Sequence, residues 1–218
     1  MQPITITAGP LAAASANNIA LSQTTAGAAN LTLNGSLVTS GVATLDEPRQ
    51  VLITNVGNDS AVTFTVYGTW FNGQTISETV QGTSGSSVAT TLDFVTVTRV
   101  AASAATSVSG VTVGTNGVAG SRWVRFDDFA PGQITVQGDV SGTVNYSVQT
   151  TLEDPNDPFS PVAIGSVTWL DALDANLVSE STAKSGYISY APRYARVLLN
   201  SGSGSATITF LQSSNGPI

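Results

Sequence analysis

Three groups of closely spaced carboxylates are the side chains of this sequence best suited to chemistry: Asp127 with Asp128, Glu153 and Asp154 with Asp157, and Asp171 with Asp174. A glycosidase holds two carboxylates about 5–10 Å apart across a cleft that aromatic rings usually line. Trp169 and Tyr187 could supply such rings. Acidic loops are also common on small soluble domains, so these groups do not by themselves predict an enzyme.

The loop from Glu153 to Asp157 is also a candidate calcium site, because hard cations take oxygen ligands from acidic loops. Its spacing differs from that of an EF-hand, which alternates its ligands and has a glycine at the sixth position. Three prolines fall within Asp154–Pro161 and would stiffen the loop. The alternative is a solvated acidic turn. The sequence favours this alternative, so we predict no metal and no cofactor.

The sequence contains neither histidine nor cysteine. This excludes Ser-His-Asp and Cys-His nucleophile systems, thiolate catalysis, His-ligated zinc, iron and copper sites, and iron–sulfur clusters. There is also no P-loop and no GxGxxG motif after a strand. We therefore predict that the protein is not an enzyme and that it has no catalytic residue.

The charge balance is acidic, with 14 Asp and Glu residues against seven Lys and Arg and a net charge of −7. No basic cluster could neutralise phosphates, so we expect no binding to nucleic acid or to anionic membranes. No run of 18 apolar residues predicts a transmembrane helix. The first ten residues lack the basic and apolar regions of a signal peptide, so none is expected.

The elements that must position these side chains are β-strands. Only 10% of the residues are charged, against about 25% in an average soluble domain, and Thr, Ser, Ala, Gly, Val and Asn fill the difference. Val and Thr favour strands, whereas Gly, Asn and Ser favour turns. The composition therefore predicts an all-β fold, and the many short strands between regular turns indicate β-sandwiches or jelly rolls.

Alternation of apolar and polar residues predicts fourteen strands: Ile4–Thr7, Asn30–Leu33, Ser36–Thr39, Gln50–Thr54, Val62–Thr69, Thr75–Gln81, Val95–Val100, Val111–Val113, Trp123–Phe126, Gln133–Gln137, Gly142–Thr151, Gly186–Tyr190, Ala195–Asn200 and Ser205–Gln212. Asn72-Gly73 is a strong hairpin signal, because both residues tolerate a positive φ. No strand is expected across Asp154–Pro161, and a short helical turn is expected within Trp169–Val178.

Residues 1–45 carry no charged side chain. We predict that residues 1–48 form an extended N-terminal arm or a first hairpin, 49–120 a first β-sandwich domain and 121–218 a second one. VLITNVGNDSAVTFTV, ITVQGDVSGTVNYSV and VLLNSGSGSATITFL share one pattern, in which a short strand, a turn and a longer strand follow each other. This repeated pattern indicates either an internal duplication or convergence, since unrelated β-hairpins commonly have such a sequence.

Three tryptophans and two arginines are further candidates for contacts. Alternation in SRWVRFDDF places Trp123 with Arg125 on one strand face and Val124 with Phe126 on the other, one of which is core. Trp70, Trp123 and Trp169 are either core residues or anchors of an interface. Arg193 and Arg196 are expected to pair with carboxylates, or to fix the register of a subunit interface.

The chain from Arg49 to Gln212 resembles small virion structural proteins of tailed bacteriophages. The resemblance lies in RQVLITNVGNDSAVTFTVYGTWFNGQTISETVQG, VATTLDFVTVTRV and VTVGTNGVAGSRWV, and in the second half in VNYSVQTTLEDPNDPF and ARVLLNSGSGSATITFLQ. It implies a structural role and brings no catalytic residue with it. The first 48 residues lie outside the resemblance.

We therefore expect a protein of the virion, assembled in the bacterial host cytoplasm. The main hypothesis is a capsid decoration or cement protein that bridges major capsid subunits and forms a homotrimer or homodimer. One alternative is a neck, tail or head-fibre component that binds other virion proteins. Another is a carbohydrate-binding β-sandwich for host recognition, which would need exposed coplanar aromatic rings and a carboxylate cluster.

Overall fold

The structure is a computed structural model that describes residues 3–127 and 133–212. The described residues form sixteen strands: β1 (Ile4–Ala8), β2 (Ser15–Gln23), β3 (Ala29–Asn30), β4 (Val38–Thr39), β5 (Val42–Asn55), β6 (Thr63–Thr69), β7 (Thr75–Gln81), β8 (Ser87–Ala102), β9 (Val111–Gly120), β10 (Val124–Arg125), β11 (Ile134–Ser141), β12 (Val144–Thr151), β13 (Leu170–Asp171), β14 (Lys184–Ile188), β15 (Tyr194–Gly202) and β16 (Ser205–Gln212).

The predicted all-β class is confirmed. Apart from strands, the described residues hold two short 3₁₀ turns, Ile164–Ser166 and Ala175–Leu177, and the second lies inside the range predicted for a helical turn. As predicted, no strand covers the proline-rich segment between β12 and β13. Within the described part of the chain, no helix has the length and apolar character needed to cross a membrane.

The chain forms two compact units. The first consists of Met1–Leu11 with Gly117–Ile218, and the second of Ala12–Asn116. These units divide the chain differently from the predicted domains, because the segment 1–48 is split between them. The reason is that β1 pairs antiparallel with β16, which lies about 200 residues later in the chain. Residues 12–48 instead supply β2, β3, β4 and the start of β5 to the second unit.

The first unit is a β-sandwich. One sheet has the strand order β1-β16-β11-β14, and the other contains β13-β12-β15, with β10 and the last residues of β9 paired to β15. Inward side chains of both sheets form one buried cluster, which includes Ile6, Val136, Ile208, Phe210, Tyr146, Val148, Val197 and Leu199. The core therefore lies between the two sheets, as sheet-on-sheet packing requires.

The second unit is built from one hydrogen-bonded set of strands. Its order is β9-β5-β8-β6-β7, with β2 on β9, β3 on β8 and β4 on β5. Its core is a single cluster that includes Ile19, Val51, Ile53, Phe64, Val66, Phe94, Val97 and Val113. The predicted hairpin between β6 and β7 is confirmed, and Gly73 at its tip has a φ of 80°.

Several strands differ from their predicted bounds. β5 and β8 have 14 and 16 residues, and both begin well before the predicted Gln50 and Val95. Their pairing shifts register between Thr44 and Arg49 and again between Gln50 and Leu52. Such irregularities insert residues into one strand and break the alternation by which strands are recognised. β2 was not predicted, since SANNIALSQ groups Ile19, Ala20 and Leu21 together and does not alternate apolar with polar residues.

Of two buried tyrosines in the first unit, one has a hydrogen-bond partner for its hydroxyl and the other has none among the described residues. The Tyr146 hydroxyl is completely buried and has no hydrogen-bond partner among the described residues. Burial raises the pKa of Tyr146, and the charges of Glu180 and Asp139 raise it further. The Tyr194 hydroxyl, in contrast, donates to Asp154 Oδ1 over 2.9 Å.

We expect the substitutions Tyr146→Phe and Tyr194→Phe to have effects of opposite sign. Tyr146→Phe removes an unsatisfied buried hydroxyl, so the free energy of unfolding should rise by about 1 kcal/mol or more. Tyr194→Phe removes a donor to a carboxylate and should lower it by about 1.5–3 kcal/mol. Urea titrations of both variants beside the wild type measure the two changes, and a loss of stability in Tyr146→Phe would contradict the first.

The second unit contains a buried arginine. Arg49 is 1% exposed and lies in β5. Its Nη1 donates to the Ala12 carbonyl over 3.0 Å and to Asp46 Oδ1 over 3.1 Å, and its Nη2 donates to the Asn116 carbonyl. Asp46 Oδ2 in turn accepts from the Ala12 amide over 2.6 Å. Since Ala12 and Asn116 are the first and last residues of this unit, Arg49 holds its two chain ends together.

Candidate functional site

The acidic loop after β12 is held by arginines. Asp154 is 5% exposed, and its Oδ2 lies 3.7 Å from Arg125 Nη2 and 3.7 Å from Arg193 Nε. Its Oδ1 accepts from the Asn156 amide over 2.8 Å and from the Tyr194 hydroxyl over 2.9 Å. The pairing predicted for Arg193 is therefore confirmed, and both oxygens of Asp154 already face donors.

The other two carboxylates of this loop also fix the backbone. Asp157 Oδ1 accepts from the amides of Phe159 and Ser160 over 2.8 and 2.9 Å, and its Oδ2 lies 3.7 Å from Arg193 Nη2. Glu153 accepts from the Thr168 amide. Among the residues that the structure describes, no group of three or more Asp and Glu side chains could hold a metal ion. The geometry thus matches a fixed acidic turn better than a calcium site.

Asp171 and Asp174 accept hydrogen bonds from side chains and amides of the first unit. Asp171 Oδ1 accepts from Gln149 Nε2 over 3.0 Å. Asp174 accepts through Oδ1 from the Asn176 amide and through Oδ2 from the Tyr187 amide, each over 3.0 Å. Asp171 therefore ties β13 to β12, and Asp174 ties its own turn to β14. Of the third pair, Asp128 lies outside the described residues.

The pH dependence of stability should report these backbone contacts. The amides of Phe159 and Ser160 lower the pKa of Asp157, and the amides of Asn176 and Tyr187 lower that of Asp174, below the ordinary 3.8. A lowered pKa in the folded state adds stability that is present above the unfolded value and is lost as the pH falls. We expect the urea concentration at the unfolding midpoint to decrease as the pH is lowered below about 4. The decrease should be smaller in the double variant Asp157→Asn/Asp174→Asn than in the wild type. Equal acid dependence in both proteins would contradict this.

The aromatic candidates pack on each other. Trp123 and Trp169 meet edge to face with ring centroids 4.9 Å apart, and Trp123 and Tyr194 do so at 5.7 Å. The Arg196 guanidinium lies 4.7 Å from the centre of the Trp169 ring, and its Nε donates to Gln149. Steep interplanar angles mean that these rings present no coplanar platform. Trp123 and Trp169 are half-buried, so they are not fully buried core residues, and a role as interface anchors stays a prediction.

The remaining candidates differ in how far they are buried. Val124 and Phe126 are 5% and 3% exposed, so their face of the strand is the core face. This is one of the two faces between which the sequence left the choice open. Trp70 is half-buried beside the Asn72-Gly73 turn, in the second unit, with Phe71 at 6.5 Å. Tyr187 is 50% exposed in β14.

The sheet β1-β16-β11-β14 presents an outward face of small polar side chains, which we call the threonine face. Cross-strand rows place Thr5 beside Thr209 and Thr7 beside Thr207, with each pair of hydroxyls 3.0 Å apart. The face continues over the outward residues of the next two strands, Thr135, Gln137, Asp139, Ser185 and Tyr187, and over Leu211. Asp139 is the one carboxylate in this set.

A repeated tripeptide in the sequence could have predicted part of this face. Thr5-Ile6-Thr7 and Thr207-Ile208-Thr209 are the same tripeptide. In each, isoleucine points to the core and the threonines point outward. The repeat could have suggested that the two segments pair, although their separation in the chain is nearly the whole sequence.

The first unit also exposes several large apolar side chains. Leu152, Leu170 and Leu173 are 69%, 65% and 79% exposed, and Phe159 is 95% exposed. The three leucines line a groove of about 280 Å³ together with Thr150, Thr151, Asp171 and Tyr190. Exposed apolar side chains that cluster in this way mark sites of interaction.

Comparison of this chain with known protein families, with curated proteins and with solved structures finds no match.

Proposed function

We propose that the protein is a structural component of a phage virion, and specifically a capsid decoration or cement protein that bridges major capsid subunits. The observation that supports this proposal is the threonine face, a sheet surface on which hydroxyls pair with each other. The virion assignment itself comes from the sequence resemblance between Arg49 and Gln212.

The threonine face suits a dry contact with another protein for an energetic reason. Burying a polar group without a partner costs free energy, and burying a charge costs more. The hydroxyls of Thr5 and Thr209 already bond to each other, as do those of Thr7 and Thr207, so they keep this bond when water leaves. Interface centres are depleted in charged residues for the same reason.

The arrangement of the carboxylates also favours a structural part over a carbohydrate-binding or carbohydrate-cleaving one. Asp154, Asp157 and Asp174 are engaged by arginines or backbone amides of their own loops. The aromatic rings of Trp123 and Trp169 meet edge to face, whereas sugar binding would call for an open flat ring. No second function is therefore proposed.

The copy number in purified virions tests the proposal. A decoration or cement protein should be present in hundreds of copies per particle, measured against the major capsid protein. About six to twelve copies would identify a neck or tail component, because closed rings of virion subunits hold few copies. Absence from the particle would overturn the structural assignment.

Binding to capsids that lack the protein tests the face itself. Thr5→Arg and Thr135→Arg each place a charge on the threonine face in a cross-strand row that does not contain Asp139, and each should weaken binding at least about tenfold. Val108→Arg is the matched control, since Val108 is 96% exposed and belongs to the second unit, whereas this sheet belongs to the first. Equal binding by all three variants would exclude the threonine face as the capsid contact.

A further inference from the structure

The leucine groove of the first unit has room for a single large side chain. We define it by Leu152, Leu170, Leu173 and Tyr190. Its volume of about 280 Å³ lies near the lower end of ligand pockets, about 300 Å³. Its lining offers leucine methyls and an aromatic ring with few polar groups, so an apolar side chain is the occupant that fits.

Phe159 is a large apolar side chain, as the groove requires, and it lies outside the core of the first unit. It is 95% exposed, at the tip of the loop between Asp154 and Val162. The base of this loop is closed by a hydrogen bond of 3.2 Å from the Val162 amide to the Asp154 carbonyl. The Phe159 amide is held by Asp157 Oδ1, and prolines precede and follow at 158 and 161. The ring is therefore presented on a stiffened loop.

Phe159 and the groove are neighbours on the first unit. Leu152 lines the groove and also a shallow depression beside it, which is formed with Ala191, Pro192 and Arg193. Arg193 lies 3.7 Å from Asp157, whose Oδ1 holds the Phe159 amide. A chain of contacts thus leads from the groove to the loop that carries the ring.

We propose that two copies of this chain associate by exchanging these features, so that Phe159 of each copy enters the leucine groove of the other. The protruding Phe159 loop and the groove lie side by side on one protomer. About a two-fold axis, the loop of each copy meets the groove of the other at the same time, so the assembly closes as a dimer. This inference goes beyond the proposed virion role and does not depend on it, because it concerns the purified protein alone.

The exposed apolar area favours a second copy as the occupant. Burying Phe159, Leu152, Leu170 and Leu173 on both copies would remove on the order of 800 Å² of apolar surface from water. Half-buried neighbours such as Arg193 extend the contact toward the roughly 1,200 Å² at which specific interfaces begin. Arg193, from the segment before β15, lies beside Asp154 and Asp157 of this loop, so two copies can face each other with both charge signs.

Sedimentation of the purified full chain over a wide concentration range tests the association. The wild type should be a dimer, and Phe159→Ser or Leu173→Arg should raise the dissociation constant at least about tenfold. Val108→Ser, which alters an equally exposed residue of the second unit, should leave it unchanged. A wild type that stays monomeric, or a Phe159→Ser variant that stays as dimeric as the wild type, would overturn the proposal.

Cross-linking locates the contact. Because the chain has no cysteine, Phe159→Cys and Leu173→Cys each introduce a single thiol. An equal mixture of the two variants should give a covalent dimer with a short bismaleimide, whereas Phe159→Cys mixed with Val108→Cys should not. Failure of the first mixture to cross-link while the wild type is dimeric would show that another surface forms the dimer. Capsid binding is measured separately, so failure here and failure of the virion role are distinguishable.

Discussion

Replacing Arg49 with methionine is expected to lower the free energy of unfolding of the second unit by about 3 kcal/mol or more. The guanidinium is buried and supplies donors to Asp46 and to the carbonyls of Ala12 and Asn116. Methionine fills much of the same space but provides no donor. It leaves two carbonyls and a half-buried carboxylate without their partner, and each such loss costs about 1–3 kcal/mol.

Hydrogen exchange measured by mass spectrometry gives the most direct readout, because it separates peptides of the two units. In Arg49→Met, peptides at both ends of the second unit, near Ala12 and near Asn116, should lose protection first. The control is Arg99→Met, since Arg99 is exposed and lies 3.6 Å from the centre of the Tyr67 ring. An exposed contact of this kind contributes about 0.5–1 kcal/mol. Equal losses in the two variants would contradict the role assigned to Arg49.

Arg49 also illustrates what the sequence can and cannot predict. The predicted strand begins at Gln50 and leaves Arg49 outside it, because alternation gives no sign that an arginine at this position is buried. Its burial depends on Ala12 and Asn116, which are distant in sequence and which no local pattern connects to it. The hairpin at Asn72-Gly73, by contrast, depends on two adjacent residues and their tolerance of positive φ, so it was predicted correctly.

The same distinction separates the fold class from the arrangement of the strands. The all-β class follows from the composition and from alternation within single strands such as β6 and β16. The membership of β1 in the first unit depends on its register with β16, with Ile6 opposite Ile208. Register is set by pairing between distant segments, which alternation within a single strand does not reveal.

The candidate site was predicted in part. Arg193 was expected to pair with carboxylates and does so, because a chain with twice as many acids as bases offers many partners. The threonine face and the leucine groove were not predicted. Leu152, Leu170 and Leu173 have the residue type of a core position, and only the fold shows that they lie outside it.

Replacing Asp154 with alanine is expected to lower the free energy of unfolding of the first unit by about 3 kcal/mol, the second of the two largest effects. Asp154 is buried, and it faces Arg125, Arg193, the Asn156 amide and the Tyr194 hydroxyl. Its removal leaves these donors without their common acceptor. Arg125 is 53% exposed and can turn to solvent when its partner is removed. The expected loss of stability is therefore at the lower end of the range of about 3–5 kcal/mol for breaking a buried ion pair.

Asp154→Asn separates the charge of this side chain from its hydrogen bonds. The amide oxygen can still accept from Asn156 and Tyr194, so we expect a smaller loss of stability than in Asp154→Ala. Asp157→Ala should have a smaller effect still, because Asp157 is more exposed than Asp154. Urea titration gives the three values, and hydrogen exchange of peptides covering 152–168 shows whether the loop that carries Phe159 has loosened.

The same variants decide whether the loop is closed by arginines or by a cation. If Arg125 and Arg193 are the counter-charges of Asp154, adding calcium should leave the unfolding midpoint of the wild type unchanged. A ligand that binds only the folded state raises the midpoint as its concentration rises. A calcium-dependent rise in the wild type that is lost in Asp154→Asn would therefore overturn the arginine-held loop and restore Glu153–Asp157 as a metal site. With no rise, the arginines remain the groups that hold the loop, and Asp154→Ala should loosen the segment on which Phe159 is presented.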